Sequence, residues 1–258
     1  IIVSMSPLLS IWKPSTGFPV FAIASTIFFI HLGSIPITIT AATNKRHFYL
    51  KYNANAKLIL RYLKLVGGDV SSYSYQNCEH CGGSILIYTN GGELNLYSSI
   101  VFNNKAAWGG GIRAQGDRYS DTNKNAIMNI YNSIIHNNEA TTNDGGGIYM
   151  YRAVATIVNT TIDNNQADYG GGIIVWYSDV TMKNTIISNN DAYYGGGLLI
   201  QGDSTTVTLR QSSFINNDAT DNGDEIYTYR SPTISLINTY FNNPNNNNNI
   251  YENTDYGT

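Results

Sequence analysis

The densest chemistry in the chain sits at Cys78-Glu79-His80-Cys81. Thiolate, imidazole and carboxylate groups are zinc ligands, and a Cys-x-x-Cys pair is also a redox motif. Zinc takes four ligands, however, and this loop offers three at most; the chain has two cysteines in all, so no second pair completes a site. His31, His47 and His136 are scattered. The expectation is an insertion loop, closed by a local Cys78–Cys81 disulfide if the compartment is oxidising. A second group follows a run of Asn-Asn pairs: Glu139, Gln166, Asp191 and Asp218. If these positions stack one strand apart, roughly 4.8 Å, Asp191 and Asp218 form a carboxylate pair able to share a proton or hold Ca²⁺. Read as solvated turn residues they do neither. The third group is aromatic. Trp108, Tyr169 and Tyr194 precede glycine runs, and Tyr149, Tyr151, Trp176, Tyr227 and Tyr229 follow them. The glycine runs resemble a phosphate loop only superficially, because no Lys-Ser/Thr follows and the motif recurs five times.

The elements that position these groups are repeats. VFNNKA (101–106), IHNNEA (135–140), IDNNQA (162–167), ISNNDA (187–192) and FINNDA (214–219) each lead into a glycine run, the last decayed to Gly223-Asp224-Glu225. From Gly82 through Gly109, Gly145, Gly170, Gly195 and Gly223 the spacings are 27, 36, 25, 25 and 28 residues. Alignment produces apolar columns: Leu96, Ile130, Ile157, Met182, Leu209, Leu236; then Val101, Ile135, Ile162, Ile187, Phe214, Phe241; then Ile85, Ile112, Ile148, Ile173, Leu198, Ile226. Neighbouring apolar residues fall two apart, the period of a strand. No such strand folds alone, but stacked equivalent coils bury one another.

The pattern predicts an all-β chain: a right-handed parallel β-helix of about 25–27 residues per coil and roughly nine coils, a rod of about 40 Å. A single β-helix domain is expected over 18–250, with clear repeats over 55–243, an insertion at 69–81, an N-terminal segment at 1–17 and an Asn-rich tail at 242–258. The apolar run 18–30 reads either as the core of a secretion signal or as a first strand. Composition agrees with this architecture. Among 258 residues are 33 Asn, 24 Gly and 20 Tyr, with 13% charged and a net charge of -3. That excludes a helical bundle, a disulfide scaffold and a basic nucleic-acid binder, and no membrane span stands out. Residues alternating with the post-glycine column point outward: Arg113, Tyr149, Ile174, Leu199, Tyr227, and two further on Gln115, Tyr151, Trp176, Gln201, Tyr229. An exposed aromatic strip of this kind marks a contact site for a sugar, a protein, or another domain of the same chain.

The Gly-Gly-Gly-Ile signals preceded by an aliphatic residue and Asn-Asn resemble the GGA[IL] and FxxN repeats of chlamydial polymorphic outer membrane proteins, and equally the pectin-lyase-like β-helix repeat proteins, over about residues 55–243. The resemblance implies an extracellular or cell-surface setting and a structural or adhesive role; the alternative is a polysaccharide-binding or polysaccharide-degrading domain. Of the polygalacturonase motifs only Asn253-Thr254-Asp255 occurs, beyond the repeats, so no catalytic residues are assigned.

Overall fold

The computed structural model describes residues 26–29, 36–51, 56–72, 80–88, 92–116, 125–243 and 249–253. Every regular element among them is a strand; most strands stack into three parallel sheets of eight, and two short two-stranded parallel sheets form in the turns, Lys105–Ala106 with Glu139–Ala140 and Asp191–Tyr194 with Asp218–Asn222. The first sheet runs from Thr26–Phe29 to Thr233–Ile237, the second from Ile37–Thr40 to Tyr240–Asn242, the third from Phe48–Lys51 to Ile250–Asn253. The chain visits first, second and third sheet in turn and then re-enters the first, so three strands make one coil. Eight strands per sheet make eight stacked coils separated by seven strand spacings, about seven full turns and roughly 34 Å end to end. Nine coils were expected; fewer fit because some turns are longer, as in the 36 residues from Gly109 to Gly145.

The apolar columns are the core. Leu60, Leu96, Ile130, Ile157, Met182 and Leu209 stack in the first sheet, Leu65, Val101, Ile135, Ile162, Ile187 and Phe214 in the second, and Ile85 through Ile226 in the third. All are buried, each stabilising by roughly 1.5–3 kcal/mol. Part of the 18–30 run is strand: Thr26–Phe29 pairs with Lys57–Leu60, while residues 18–25 lie outside the described residues. Near the expected 69–81 insertion, Asp69 still bridges Lys105 and Cys81 bridges Trp108. Within the Asn-rich segment, Ile250–Asn253 pairs with Ile226–Tyr229 and closes the eighth coil.

The two asparagines of each pair have different jobs. The first (Asn103, Asn137, Asn164, Asn189, Asn216) turns the chain at φ of 53–54° or close to it, a left-handed conformation Asn tolerates. The second (Asn104, Asn138, Asn165, Asn190, Asn217) is buried inside the turn. Its Oδ1 accepts from the backbone N–H and the Nδ2 of the preceding coil's equivalent, and its own Nδ2 donates onward, giving a continuous ladder at 2.8–3.1 Å. Glycine lies against this ladder because nothing larger fits. A Cβ on Gly172 would sit 2.6 Å from Gly197 O and 3.0 Å from Asn190 Nδ2.

Candidate ligand-contact surface

The third sheet points two columns away from the core. One reads Leu86, Arg113, Tyr149, Ile174, Leu199, Tyr227, Tyr251; the other Tyr88, Gln115, Tyr151, Trp176, Gln201, Tyr229, Asn253. The expected direction is seen, but not the expected exposure. Tyr149, Tyr151, Ile174, Leu199 and Tyr227 are buried in a second apolar cluster on the outer side of the sheet. The turns before and after the strands cover them: Trp108, Tyr194 and Tyr177 pack on the cluster, with Trp176, Tyr229 and Tyr251. Trp176 meets Tyr151 edge-on at 5.1 Å and stacks on Tyr177 at 5.8 Å. Tyr169 remains 40% exposed.

Side-chain size along the columns shapes the surface. Between the Tyr149/Tyr151 and Tyr227/Tyr229 pairs, the sixth coil carries the smaller Leu199 and Gln201. The dip is a pocket of about 260 Å³ lined by Tyr169, Tyr194, Leu199, Gln201, Tyr227 and Tyr229. Tyr169 stacks on Tyr194 at 5.6 Å, and Tyr194 leans on Tyr227 at 5.2 Å. Tyr227 stacks on Tyr251 at 5.4 Å and accepts a hydrogen bond from Asn253 Nδ2 at 2.8 Å. A hydrogen bond to Asp221 holds the Tyr194 phenol above its usual range. The lining itself carries no charge: a flat, neutral, aromatic pocket with one carboxamide to orient a ligand.

Three coils toward the N-terminus the same face carries a buried cation that sequence reasoning placed only as an outward residue. Arg113 is 7% exposed. Its guanidinium lies over Tyr149 at 4.2 Å and Trp108 at 5.4 Å, donates to Gln115 Oε1 at 2.6 Å and approaches Cys81 Sγ at 3.1 Å. Burial raises the Asp144 carboxyl to about 6 despite the opposing pull of Arg113, and burial also raises the Tyr149 phenol. The signal that marks this site in sequence is a charged residue where neighbouring coils carry apolar ones.

Cys81 is buried beneath this cluster, while Cys78 and Glu79 lie outside the described residues, and with them the expected disulfide. His80 packs on Trp108 at 4.6 Å. Among the described residues no three His, Cys, Asp or Glu side chains come together as a metal site. The Glu139, Gln166, Asp191, Asp218 column is in register along the turns. Asp191 and Asp218 are exposed neighbours; Gln166 Nε2 donates to Asp191 Oδ2 at 3.2 Å, and burial together with the Asp218 charge raises the Asp191 carboxyl. No described helix is long and apolar enough to cross a membrane.

Comparison with curated proteins and with solved structures returns no match. A family match covers residues 85–258, two thirds of the chain, and it is described as a right-handed β-helix region. Its agreement with three parallel sheets wound from successive strands is direct: this chain belongs to the right-handed β-helix family.

Proposed function

We propose that this β-helix is a non-enzymatic structural and adhesive module of a larger cell-surface or secreted protein, and that the tyrosine pocket on the third sheet is its contact site. The observation carrying this reading is the pocket itself: four tyrosines, Leu199 and Gln201 around about 260 Å³, with no charged side chain in the lining. Such a surface favours a neutral partner with a flat apolar face, either a sugar ring or a protein side chain. Catalysis on a polysaccharide would require an acid and a base converging on the bound chain. Asp144, whose carboxyl is raised to about 6, sits instead in the Arg113 region. The extracellular setting is carried by the repeat resemblance.

The test is binding and turnover of the full chain on a panel of neutral and acidic polysaccharides and surface proteins, with and without Ca²⁺. The expected result is binding without new reducing or unsaturated chain ends, weakened at least tenfold by Tyr169→Ala with little change in stability, since Tyr169 is 40% exposed. Tyr227→Ala, at a buried position, should lose both binding and stability, about 3 kcal/mol of the latter. New chain ends would overturn the non-enzymatic reading. Binding untouched by Tyr169→Ala would move the contact site elsewhere.

A further inference from the structure

The repeat changes at one position in a way that core packing does not require. Coils three to six carry glycine at the end of the triplet, Gly111, Gly147, Gly172 and Gly197, and the seventh carries Glu225. Glu225 is fully buried. It terminates the asparagine ladder: Asn190 Nδ2 donates to Asn217 Oδ1 in the next coil, and the last amide, Asn217 Nδ2, donates to Glu225 Oε2 of its own coil. The other carboxyl oxygen, Oε1, is buried and accepts from no donor.

The eighth coil supplies a matching orphan. Ile226 pairs with Ile250, and the Ile226 N–H donates to Asn249 O at 2.9 Å, so Asn249 follows Glu225 in the stack. Asn249 Oδ1 is likewise buried without a donor. Two buried acceptors in successive coils call for a positive bridge between them. Among the described residues no basic side chain lies on the elements around Glu225 to be that bridge. The strands and turn around Glu225, namely Leu198–Gln201, Ser213–Ile215, Asp218–Asn222, Ile226–Tyr229, Tyr240–Asn242 and Ile250–Asn253, contain no Lys, Arg or His. Their ionisable acids are Asp218, Asp221 and Glu252, all exposed. Adjacent Asp224 is buried as well, but it accepts from the Ala219 N–H at 3.1 Å and from Asn243 Nδ2 at 3.2 Å, which favours its anion.

We propose that Glu225 carries a proton on Oε1 and donates it to Asn249 Oδ1, latching the eighth-coil strand Ile250–Asn253 onto the seventh coil, and that the latch weakens as pH rises from the acid side to neutral. Burial raises the Glu225 carboxyl from 4.5 to about 7, outweighing the side-chain and backbone hydrogen bonds from Asn217 that oppose the shift; the Asp224 charge adds to it. The sign follows from linkage. A carboxyl raised on folding contributes stability that is complete below the unfolded value, falls as pH rises from there to the folded value, and is level above it. The strand that the latch holds is also the brace of the tyrosine pocket, since Tyr251 stacks on Tyr227 and Asn253 donates to the Tyr227 oxygen. The pH control of ligand binding that this implies rests on the pocket reading above; the latch does not.

The test is hydrogen exchange on the full chain between about pH 4 and pH 8, read as protection factors so that base catalysis of exchange is divided out. The expected result is protection in Ile226–Tyr229 and Ile250–Asn253 falling up to tenfold per pH unit between about 4.5 and 7 and level above, with Ile173–Trp176 in the fifth coil unchanged. Glu225→Gln places an amide donor toward Asn249 at every pH, so its protection should stay high and flat. A flat wild-type profile, an equal fall in the fifth coil, or a pH dependence surviving in Glu225→Gln would overturn the proposal. Protection restored at pH 8 by millimolar Ca²⁺ would overturn it too, assigning the two oxygens to a cation. A latch that titrates as expected in a chain whose pocket binds nothing would leave the latch standing and remove only the pocket reading.

Discussion

Asn164 and Asn165 are neighbours of the same type, and the structure predicts opposite responses to the same substitution. Asn165 is 1% exposed and its carboxamide makes four hydrogen bonds. Nδ2 donates to Asn190 Oδ1 and Ile135 O, both at 3.0 Å, while Oδ1 accepts from the Asn138 backbone N–H and from Asn138 Nδ2, both at 3.0 Å. Asn165→Ala strands two buried N–H donors in the fourth coil, at about 1–3 kcal/mol each. Asn190 Oδ1 retains its bond from the Asn165 backbone N–H, so its loss is partial. The expected destabilisation is about 4 kcal/mol, or roughly 8–16 °C in Tm for a domain of this size. Asn164 is exposed, has φ of 52°, and its side chain donates to its neighbour Asp163 at the surface. Asn164→Ala should cost about 1 kcal/mol through the left-handed backbone alone, and Asn164→Gly should cost little or nothing. Urea unfolding followed by circular dichroism, paired with thermal melts, measures all three variants. Equal losses for Asn164→Ala and Asn165→Ala, or a loss under about 1 kcal/mol for Asn165→Ala, would refute the ladder as a stabilising element.

Two further expectations follow from the same geometry. Gly172→Ala drives a methyl group into the Gly197 carbonyl of the next coil, 2.6 Å away, and should lose at least 3 kcal/mol, read as soluble yield and Tm. Burial raises the Asp144 carboxyl from 3.8 to about 6, so its contribution is complete below about 4 and is lost as pH rises through about 6, by roughly 2 kcal/mol once partial solvent contact is allowed for. Burial lowers His47, which acts in the opposite sense and loses its contribution as the solution acidifies. A Tm profile from pH 4 to 9 should therefore peak on the acidic side of neutral, and Asp144→Asn should flatten the fall between about pH 4 and 6.

Much of the solenoid is legible in the residues because each inward column repeats at one spacing. Leu96 and Ile130 share a column in sequence and are paired across coils in space. The candidate site was less legible. Outward direction follows from alternation, which is why the Tyr149 and Tyr227 columns could be placed. Burial does not follow, because it depends on whether turns 20 or more residues away in sequence fold back over the strand, as the Trp108 and Tyr194 turns do over this cluster. Arg113 meeting Cys81 at 3.1 Å is a contact across 32 residues that no local pattern encodes.

Repetition by itself therefore carries the architecture: period-two alternation sets which side chains face inward, and coil spacing sets which of them stack. The division of labour within each Asn-Asn pair came only with the coordinates, since an identical residue type serves the left-handed turn at Asn164 and the buried ladder at Asn165. So did the shape of the tyrosine pocket and the two unmatched oxygens of Glu225 and Asn249. The physical reason is the same in each case. Alternation and spacing are properties of one chain segment, whereas burial, hydrogen-bond satisfaction and concavity belong to groups brought together from successive coils, and they exist only once the coils have stacked.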